Sequence, residues 1–391
     1  MVRSLSLLAP LVSLLLVVAA CAAPAPPAAP AAAPPPAAAA SPPAAAEMPA
    51  WQRDWEQTVA AARQEGRVVV MGPPGDTIRE AMASAFRKAY PDLTLEWSGA
   101  RGNEIVAKVS AERRGDLTTI DVALLGTENL PALRGLDAVA PVNSSLVLPE
   151  VTDPSKWLDG RIEYSDSERV YNPVFIGIVG PALAYNPGQV RPDEVDELGK
   201  LLDPKWRGRL VMHDPLLAGS SLSMVRWFWY ALGPERATEF LRGLAAQQPV
   251  VDRETRRELE GVARGRYPVL FGPSDSMLQQ LTGEGLQFGM VTEFRDVGGY
   301  TTPSSGSLVI TKGAPHANAA KVFVNWLLSR DGQTAYSSGL TQASRRLDVP
   351  RGHLNPLTVP QPGGKYWPAY TEEHVKMPPE LEALLRELFP G

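Results

Sequence analysis

The residues best suited to chemistry in this chain lie between Trp206 and Gly233, WRGRLVMHDPLLAGSSLSMVRWFWYALG. Leu210, Val211 and Met212 form a short apolar run of the kind that makes a buried strand. His213, Asp214 and Pro215 end it, and Gly219, Ser220 and Ser221 then precede a helix that stops at Gly233-Pro234. A helix start has free backbone N–H groups and a partial positive charge. With Gly and Ser beside it and no carboxylate in the turn, it suits an anionic ligand. The same serines also suit a plain N-cap.

Four further loops follow expected strands and precede expected helices, near Asp76, Arg101, Thr127 and Ser274. In open α/β sheets, ligands sit outside the carboxyl ends of the strands. The candidate ligand-binding residues are therefore Gly75, Asp76, Thr77, Arg101, Gly126, Thr127, Ser220, Ser221, Ser274 and Asp275. Catalytic signatures are missing from the sequence. It has no CxxC, HExxH or GxxxxGK[ST], and Gly283-Glu-Gly285-Leu-Gln-Phe-Gly289 has the wrong spacing for a dinucleotide fingerprint. Gly272-Pro-Ser274-Asp-Ser276 lacks the second glycine of a nucleophile elbow. His213, His316, His353 and His374 are scattered, and only His213 stands at the end of a strand. No cofactor, catalytic residue or resident metal is expected.

The elements that would position these loops alternate. Trp51, Trp55, Val59 and Ala62 mark a helical stripe, Arg67 to Met71 a strand, and Thr77 with Glu80 the capping-box spacing of the next helix. Strands at Leu93–Trp97 and Ile120–Leu125 enclose a helix at Glu104–Arg114. Residues 137–172, rich in Pro, Asp and Ser, read as a crossing between two lobes. Phe175–Tyr185 reads as one long strand, and Glu194–Leu202 as a helix. Past the Trp206–Gly233 stretch come helices near 235–247 and 253–264, a strand at Tyr267–Leu270, and strands at Leu286–Val291 and Ser307–Thr311. A helix at Pro315–Ser329, a loop-rich tail and a last helix at Pro379–Leu388 complete the chain. Repeated strand, loop and helix argue for an α/β sheet.

Hydrophobic residues make up 44% of the 391 and charged residues 21%, enough apolar material for two lobes with their own cores. A net charge of -5 gives no reason to expect a nucleic-acid partner. Arg3 and the apolar run Leu5–Ala20 read as a secretory signal. Val18-Ala19-Ala20-Cys21 resembles a bacterial lipobox, which implies cleavage before Cys21 and a lipid on its thiol. Cys21 is the sole cysteine, so no intramolecular disulfide is possible. The Ala/Pro-rich segment to residue 50 reads as an extended stalk.

Several phrases resemble extracellular solute-binding proteins of ABC importers, in particular the family 1, ferric-iron-binding-protein-like branch. They are WEQTVAAARQEGRVVVMGPPG, LLDPKWRGRLVMHDP, GAPHANAAKVFVNWLLSRDGQTAY and SRRLDVP. The resemblance implies a two-lobed α/β periplasmic-binding-protein fold of the Venus-flytrap kind with hinge-crossing strands. Residues 51–145 plus 300–391 would form the first lobe and 146–299 the second. The implied function is a receptor, not an enzyme, that delivers a small anionic solute to an ABC permease in the membrane. The lipid would anchor it at the periplasmic or extracellular face, and a monomer is expected. Ferric iron is the alternative cargo, yet the adjacent tyrosines of ferric binders are missing and Tyr230 stands alone. A secreted enzyme and a sensory module are the other readings.

Overall fold

The computed structural model describes residues 48–217, 219–361 and 364–390. The leader, Cys21 and the stalk up to Glu47 lie outside the described residues. Helix α1 (Ala50–Glu65) ends on Gly66, whose φ of 75° is a left-handed turn that glycine adopts without strain. Then β1 (Arg67–Gly72), α2 (Asp76–Ala89), β2 (Thr94–Gly99), α3 (Gly102–Arg114) and β3 (Val122–Leu125) follow in the expected alternation. Both β2 and β3 pair parallel with β1, as strands joined through helices do. The expected capping box does not form. Helix α2 starts two residues earlier than that spacing implies, at Asp76, and Gly75 precedes it with φ 131° and no side-chain cap.

The chain continues through α4 (Leu130–Gly135), β4 (Val139–Ala140), α5 (Pro149–Thr152), β5 (Glu163–Tyr164) and β6 (Pro173–Val174). Residues 137–172 do not cross between lobes. Val142, Val151 and Trp157 are buried in one core with Val70, Phe86 and Phe323, and the Trp157 indole donates to the Val151 carbonyl at 2.7 Å. Weak periodicity there reflects irregular backbone on the first lobe. The crossing comes later, because the stretch expected as one strand is broken into β7 (Ile178–Val179) and β8 (Leu183–Tyr185), and these two and the preceding β6 each lie in a different sheet. Gly180, between β7 and β8, lets the Tyr300 ring approach the crossing backbone, since a Cβ there would collide with it.

Where Glu194–Leu202 was expected to be a helix, the chain makes two short 3-10 turns, Pro192–Glu194 and Leu198–Leu202. The second lobe then runs β9 (Leu210–His213), α6 (Ser220–Leu232), α7 (Pro234–Ala246), β10 (Val250–Asp252), α8 (Thr255–Ala263), β11 (Val269–Phe271), α9 (Asp275–Gly283) and β12 (Gly289–Val291). Its sheet has the order β10-β9-β11-β8-β12, with β9 parallel to β10 and β11. The return passes through β13 (Glu293–Phe294) and β14 (Gly298–Thr302) to β15 (Ser307–Thr311), α10 (Ala317–Leu328) and α11 (Arg330–Leu340). Strand β15 completes the first sheet, of order β2-β1-β3-β15-β6-β5 with β4 also on β15.

Both sheets are covered on both faces, as parallel strands require. On β3, Val122 and Leu124 join one cluster while Ala123 and Leu125 join another on the opposite side. On β9, Leu210 and Met212 face one cluster and Val211 the other. Helix α11, absent from the sequence reading, packs on α2 so closely that a Cβ at Gly339 would lie 2.7 Å from Ile78. Its buried positions include Gln333, Tyr336 and Ser337, too polar to show as an apolar stripe.

The tail also departs from expectation. After α11, β16 (Tyr366–Pro368) joins β14 in parallel, in a small sheet that also holds β7 and β13. It delivers α12 (Pro379–Leu388) to the second lobe, not the first. Leu381, Leu384 and Leu385 are buried there with Phe240 and Leu241. The Arg242 and Glu387 side chains meet at 2.7 Å and 3.2 Å. Residues 146–174 therefore pack with the first core, and α12 with the second.

Candidate functional site

On the first lobe, the carboxyl ends of β1, β2 and β3 bring three loops together. A Cβ at Gly99 would lie 2.9 Å from the Cα of Pro74, and one at Gly102 would strike the Asn129 side chain. Asn129 ties the third loop by donating to the Gly126 carbonyl and to Glu128 Oε1, both at 3.0 Å. The Glu128 carboxylate folds back over Gly126, into the space a side chain at that position would take. It keeps an exposed edge but is crowded by protein, and desolvation pushes its pKa up. The facing Arg226 opposes that shift through its charge.

On the second lobe, the ends of β9 and β11 do the same. Ser220 donates to the Gly272 carbonyl and Ser221 to the His213 carbonyl, each at 2.8 Å. Gly272 has φ 66°, and a Cβ there would lie 2.6 Å from the Cα of Ser221, so only glycine fits. Ser274 caps α9 through the Met277 N–H. Asp275 accepts from Gln279 at 2.9 Å through Oδ2, while its buried Oδ1 has no partner. Burial raises the Asp275 pKa.

Two groups complete the site from elsewhere. Gln342, 3% exposed, follows α11 on the first lobe and reaches Asp275 on the second. Its amide acts on the Asp275 carboxylate as a hydrogen-bond donor and opposes the upward shift that burial imposes, while its own Oε1 is unpartnered. Arg226, on the second turn of α6, is 5% exposed. It donates to the Val375 carbonyl and reaches Ser223 Oγ at 3.4 Å, but its Nε has no partner. Among the described residues no carboxylate forms an ion pair with it, and desolvation pulls its pKa down. Tyr300 on β14 feels the charges of both Arg226 and Asp275, and burial raises its pKa. Glu128, Arg226, Asp275, Tyr300 and Gln342 therefore form one polar patch where the lobes meet at the crossing strands.

His213 belongs to a separate network at the ends of β9 and β10. Its Nδ1 meets Glu258 Oε1 at 2.8 Å, and both groups are buried. Arg253 holds the neighbouring Asp214 at 2.9 Å, and Arg257 holds Asp252, bringing its pKa down to about 2. Among the described residues, no three His, Cys, Asp or Glu side chains are grouped to hold a metal ion. Tyr230 stacks on Trp367 with centroids 5.5 Å apart, and its hydroxyl reaches the Glu373 carbonyl at 3.3 Å.

A sequence profile described as bacterial extracellular solute-binding protein matches residues 81–350. The chain belongs to that family. This solute-binding protein is 26% identical over 285 residues to an uncharacterized protein of Haemophilus influenzae, covering 70% of the chain and 76% of the relative. Iron-bound HitA from Pseudomonas aeruginosa superposes with a TM-score of 0.62 at 20% identity, over 83% of this chain and 99% of that one. AfuA from Actinobacillus pleuropneumoniae, solved with fructose-6-phosphate bound, gives a TM-score of 0.60 at 20% identity, over 83% and 97%. The shared architecture is the α/β periplasmic-binding-protein fold. The family comprises transport receptors rather than enzymes, and this one is the solute-binding receptor of an ABC importer.

In this solute-binding protein the ten residues singled out in the sequence fall into two groups. Gly75, Asp76, Thr77, Arg101, Gly126 and Thr127 lie along the first rim, and Ser220, Ser221, Ser274 and Asp275 along the second. Several are already engaged. Asp76 pairs with Arg79 at 2.8 Å in the open, and Thr77 and Arg101 are exposed. The Arg101 N–H closes the first turn of α3 by donating to Glu104 at 2.7 Å. Thr127 is 3% exposed. Ser221 is fully buried, and both serine hydroxyls give their hydrogens to carbonyls, so they brace the loop instead of offering donors to an anion. Sequence reasoning missed Glu128, Arg226, Tyr300 and Gln342. A signal existed for Arg226, the lone charged side chain of α6.

Proposed function

We propose that this receptor captures a small oxyanion-bearing solute between its lobes and delivers it to a membrane permease, with a diacylated Cys21 as its anchor. Arg226 carries the reading. A guanidinium withdrawn from water without a carboxylate partner is an expensive arrangement. An oxyanion entering the cleft would supply the missing partner, and such a charge-assisted bond is worth about 1.5–3 kcal/mol. The helix start of α6 adds a favourable dipole, although its serines are engaged. Ferric iron is the weaker reading, because Tyr230 is stacked away and no second tyrosine adjoins it.

The test is a thermal-shift and calorimetric screen of phosphate, sulfate, phosphate esters and carboxylates on wild type and Arg226→Met. Binding by wild type that the variant loses supports the reading, and binding that the substitution leaves intact overturns it. A strong visible band with stoichiometric uptake on adding ferric iron promotes the iron reading. Fatty-acid labelling of cells making wild type and Cys21→Ala checks the anchor, and an unlabelled wild type excludes it.

A further inference from the structure

We propose that the segment from Glu372 to Val375, on the way from β16 to α12, is a clasp that fastens the second lobe to the first and sets how readily the lobes part. The clasp acts on the lobes themselves, whichever solute lies between them. Toward the first lobe, the Glu372 N–H donates to the Ser165 carbonyl at 2.8 Å. Glu372 Oε2 accepts from the Ser167 N–H at 3.3 Å and from the Ser167 hydroxyl at 3.0 Å. Toward the second lobe, the Tyr230 hydroxyl on α6 donates to the Glu373 carbonyl at 3.3 Å, and Arg226 donates to the Val375 carbonyl. One short segment thus holds both lobes.

Each end is rooted in its own lobe. Ser165 and Ser167 lie in the loop between β5 and β6. Asp166 between them is buried and accepts from the N–H groups of Val170 at 2.7 Å and Asn172 at 2.9 Å. Asn172 in turn donates to the Leu308 carbonyl of β15 at 2.8 Å, so this loop moves with the first sheet. On the other side, the His374 ring lies 4.1 Å from Trp367 and 5.0 Å from Tyr230, centroid to centroid. Tyr230, Trp367 and Met377 pack against the second core. A rotation of the lobes about the crossing strands therefore moves Glu372 against the β5–β6 loop.

The chemistry suits a contact that makes and breaks. The Ser167 N–H and hydroxyl hold the Glu372 carboxyl below the usual carboxylate range, with help from the charges of Lys376 and Arg134. Arg134 itself is paired with Glu168 at 2.6 Å. Ser167 is exposed and Glu372 half-buried, so water can replace the side-chain bonds when the lobes separate. A fully buried carboxylate would lock the lobes together, whereas this one biases an equilibrium that a solute can still shift.

The experiment compares wild type with Glu372→Ala, Ser167→Ala and Glu387→Ala on the full chain with no solute added. Glu387 pairs with Arg242 inside the second lobe, so its loss removes a carboxylate without touching the clasp. Small-angle scattering reads the separation of the lobes, and hydrogen exchange by mass spectrometry reads residues 163–168 and 371–377. Glu372→Ala is expected to raise the radius of gyration and to speed exchange in both segments about 10-fold, the change that about 1.4 kcal/mol makes in an equilibrium. Ser167→Ala should act in the same direction to a smaller extent, and Glu387→Ala should leave both readings at the wild-type values. Circular dichroism checks that each variant folds, and Ser167→Ala, which leaves the backbone contacts in place, carries the test if Glu372→Ala does not. Scattering that superimposes on wild type for both clasp variants overturns the inference, even with faster local exchange, because a bond that only braces its own loop does not separate lobes. An equal expansion in Glu387→Ala overturns it as well.

Discussion

Two buried guanidiniums sit in opposite lobes of this protein and have opposite surroundings. Arg346 is fully partnered. It holds Asp348 through two bonds of 2.9 Å and donates to the carbonyls of Glu150 and Leu328 at 3.0 Å. Its guanidinium also lies over the Trp157 ring at 5.5 Å. Arg226 is almost as buried, with no ion pair among the described residues and an open Nε. A buried cation whose every nitrogen is hydrogen-bonded is scaffold, because removing it strands its partners. One whose charge is unanswered is poised for something the protein does not itself contain.

Substituting each arginine in turn tests this contrast most severely. Arg346→Met should lower unfolding stability by about 2–4 kcal/mol, since Asp348 and two carbonyls lose their donor. Arg226→Met should shift stability by no more than about 1 kcal/mol while removing solute capture. Chemical denaturation of both variants reads the difference. Equal losses of stability would erase the distinction between scaffold and site.

Gly272 sharpens the comparison within the second lobe. Gly272→Ala is expected to cost about 1–3 kcal/mol, because the new Cβ meets the Ser221 backbone and φ is positive. A melting temperature unchanged from wild type would show that the loop yields, and the bracing role given to Ser220 and Ser221 would go with it.

A smaller effect concerns the other buried network of that lobe. The bond to Glu258 raises the His213 pKa, and burial raises that of Glu258. A raised folded pKa on His213 contributes stability that is complete below its unfolded value near about 6.5 and is lost as pH rises through the folded value. Ionising Glu258 above its unfolded value near about 4.3 costs stability in the same direction. The stability advantage of wild type over Glu258→Gln should therefore shrink as pH rises across this range. An advantage that grows with pH would mean the pair is not sharing a proton.

The smallest effect is expected on the first rim. Arg101→Ala should change stability by less than about 0.5 kcal/mol, its side chain being exposed. It should weaken capture far less than Arg226→Met does. A comparable loss in affinity would move the anion anchor to the first lobe.

Much of the architecture was legible in the sequence. The continuous apolar run of β3 and the apolar faces of α2 and α10 are local patterns, and they emerge where the residues put them. Where the reading failed, the information was not local. Nothing in Phe175–Tyr185 says that its two strands enter sheets different from each other and from that of β6 just before them, since each finds its partner far along the chain. Polar burial hid α11, and a long apolar run disguised the crossing.

The sequence by itself determined the strand, loop and helix alternation, the two covered sheets and the loops at their carboxyl ends, because side-chain periodicity and turn residues act over a few positions. Only the tertiary structure decided that α12 belongs to the second lobe, that Gln342 meets Asp275, and that Ser220 and Ser221 face carbonyls while Arg226 is buried facing Glu128 without an ion pair. Whether a polar group is satisfied depends on which distant segment folds beside it, and β7, β14 and β16 make that choice by carrying the chain between the lobes.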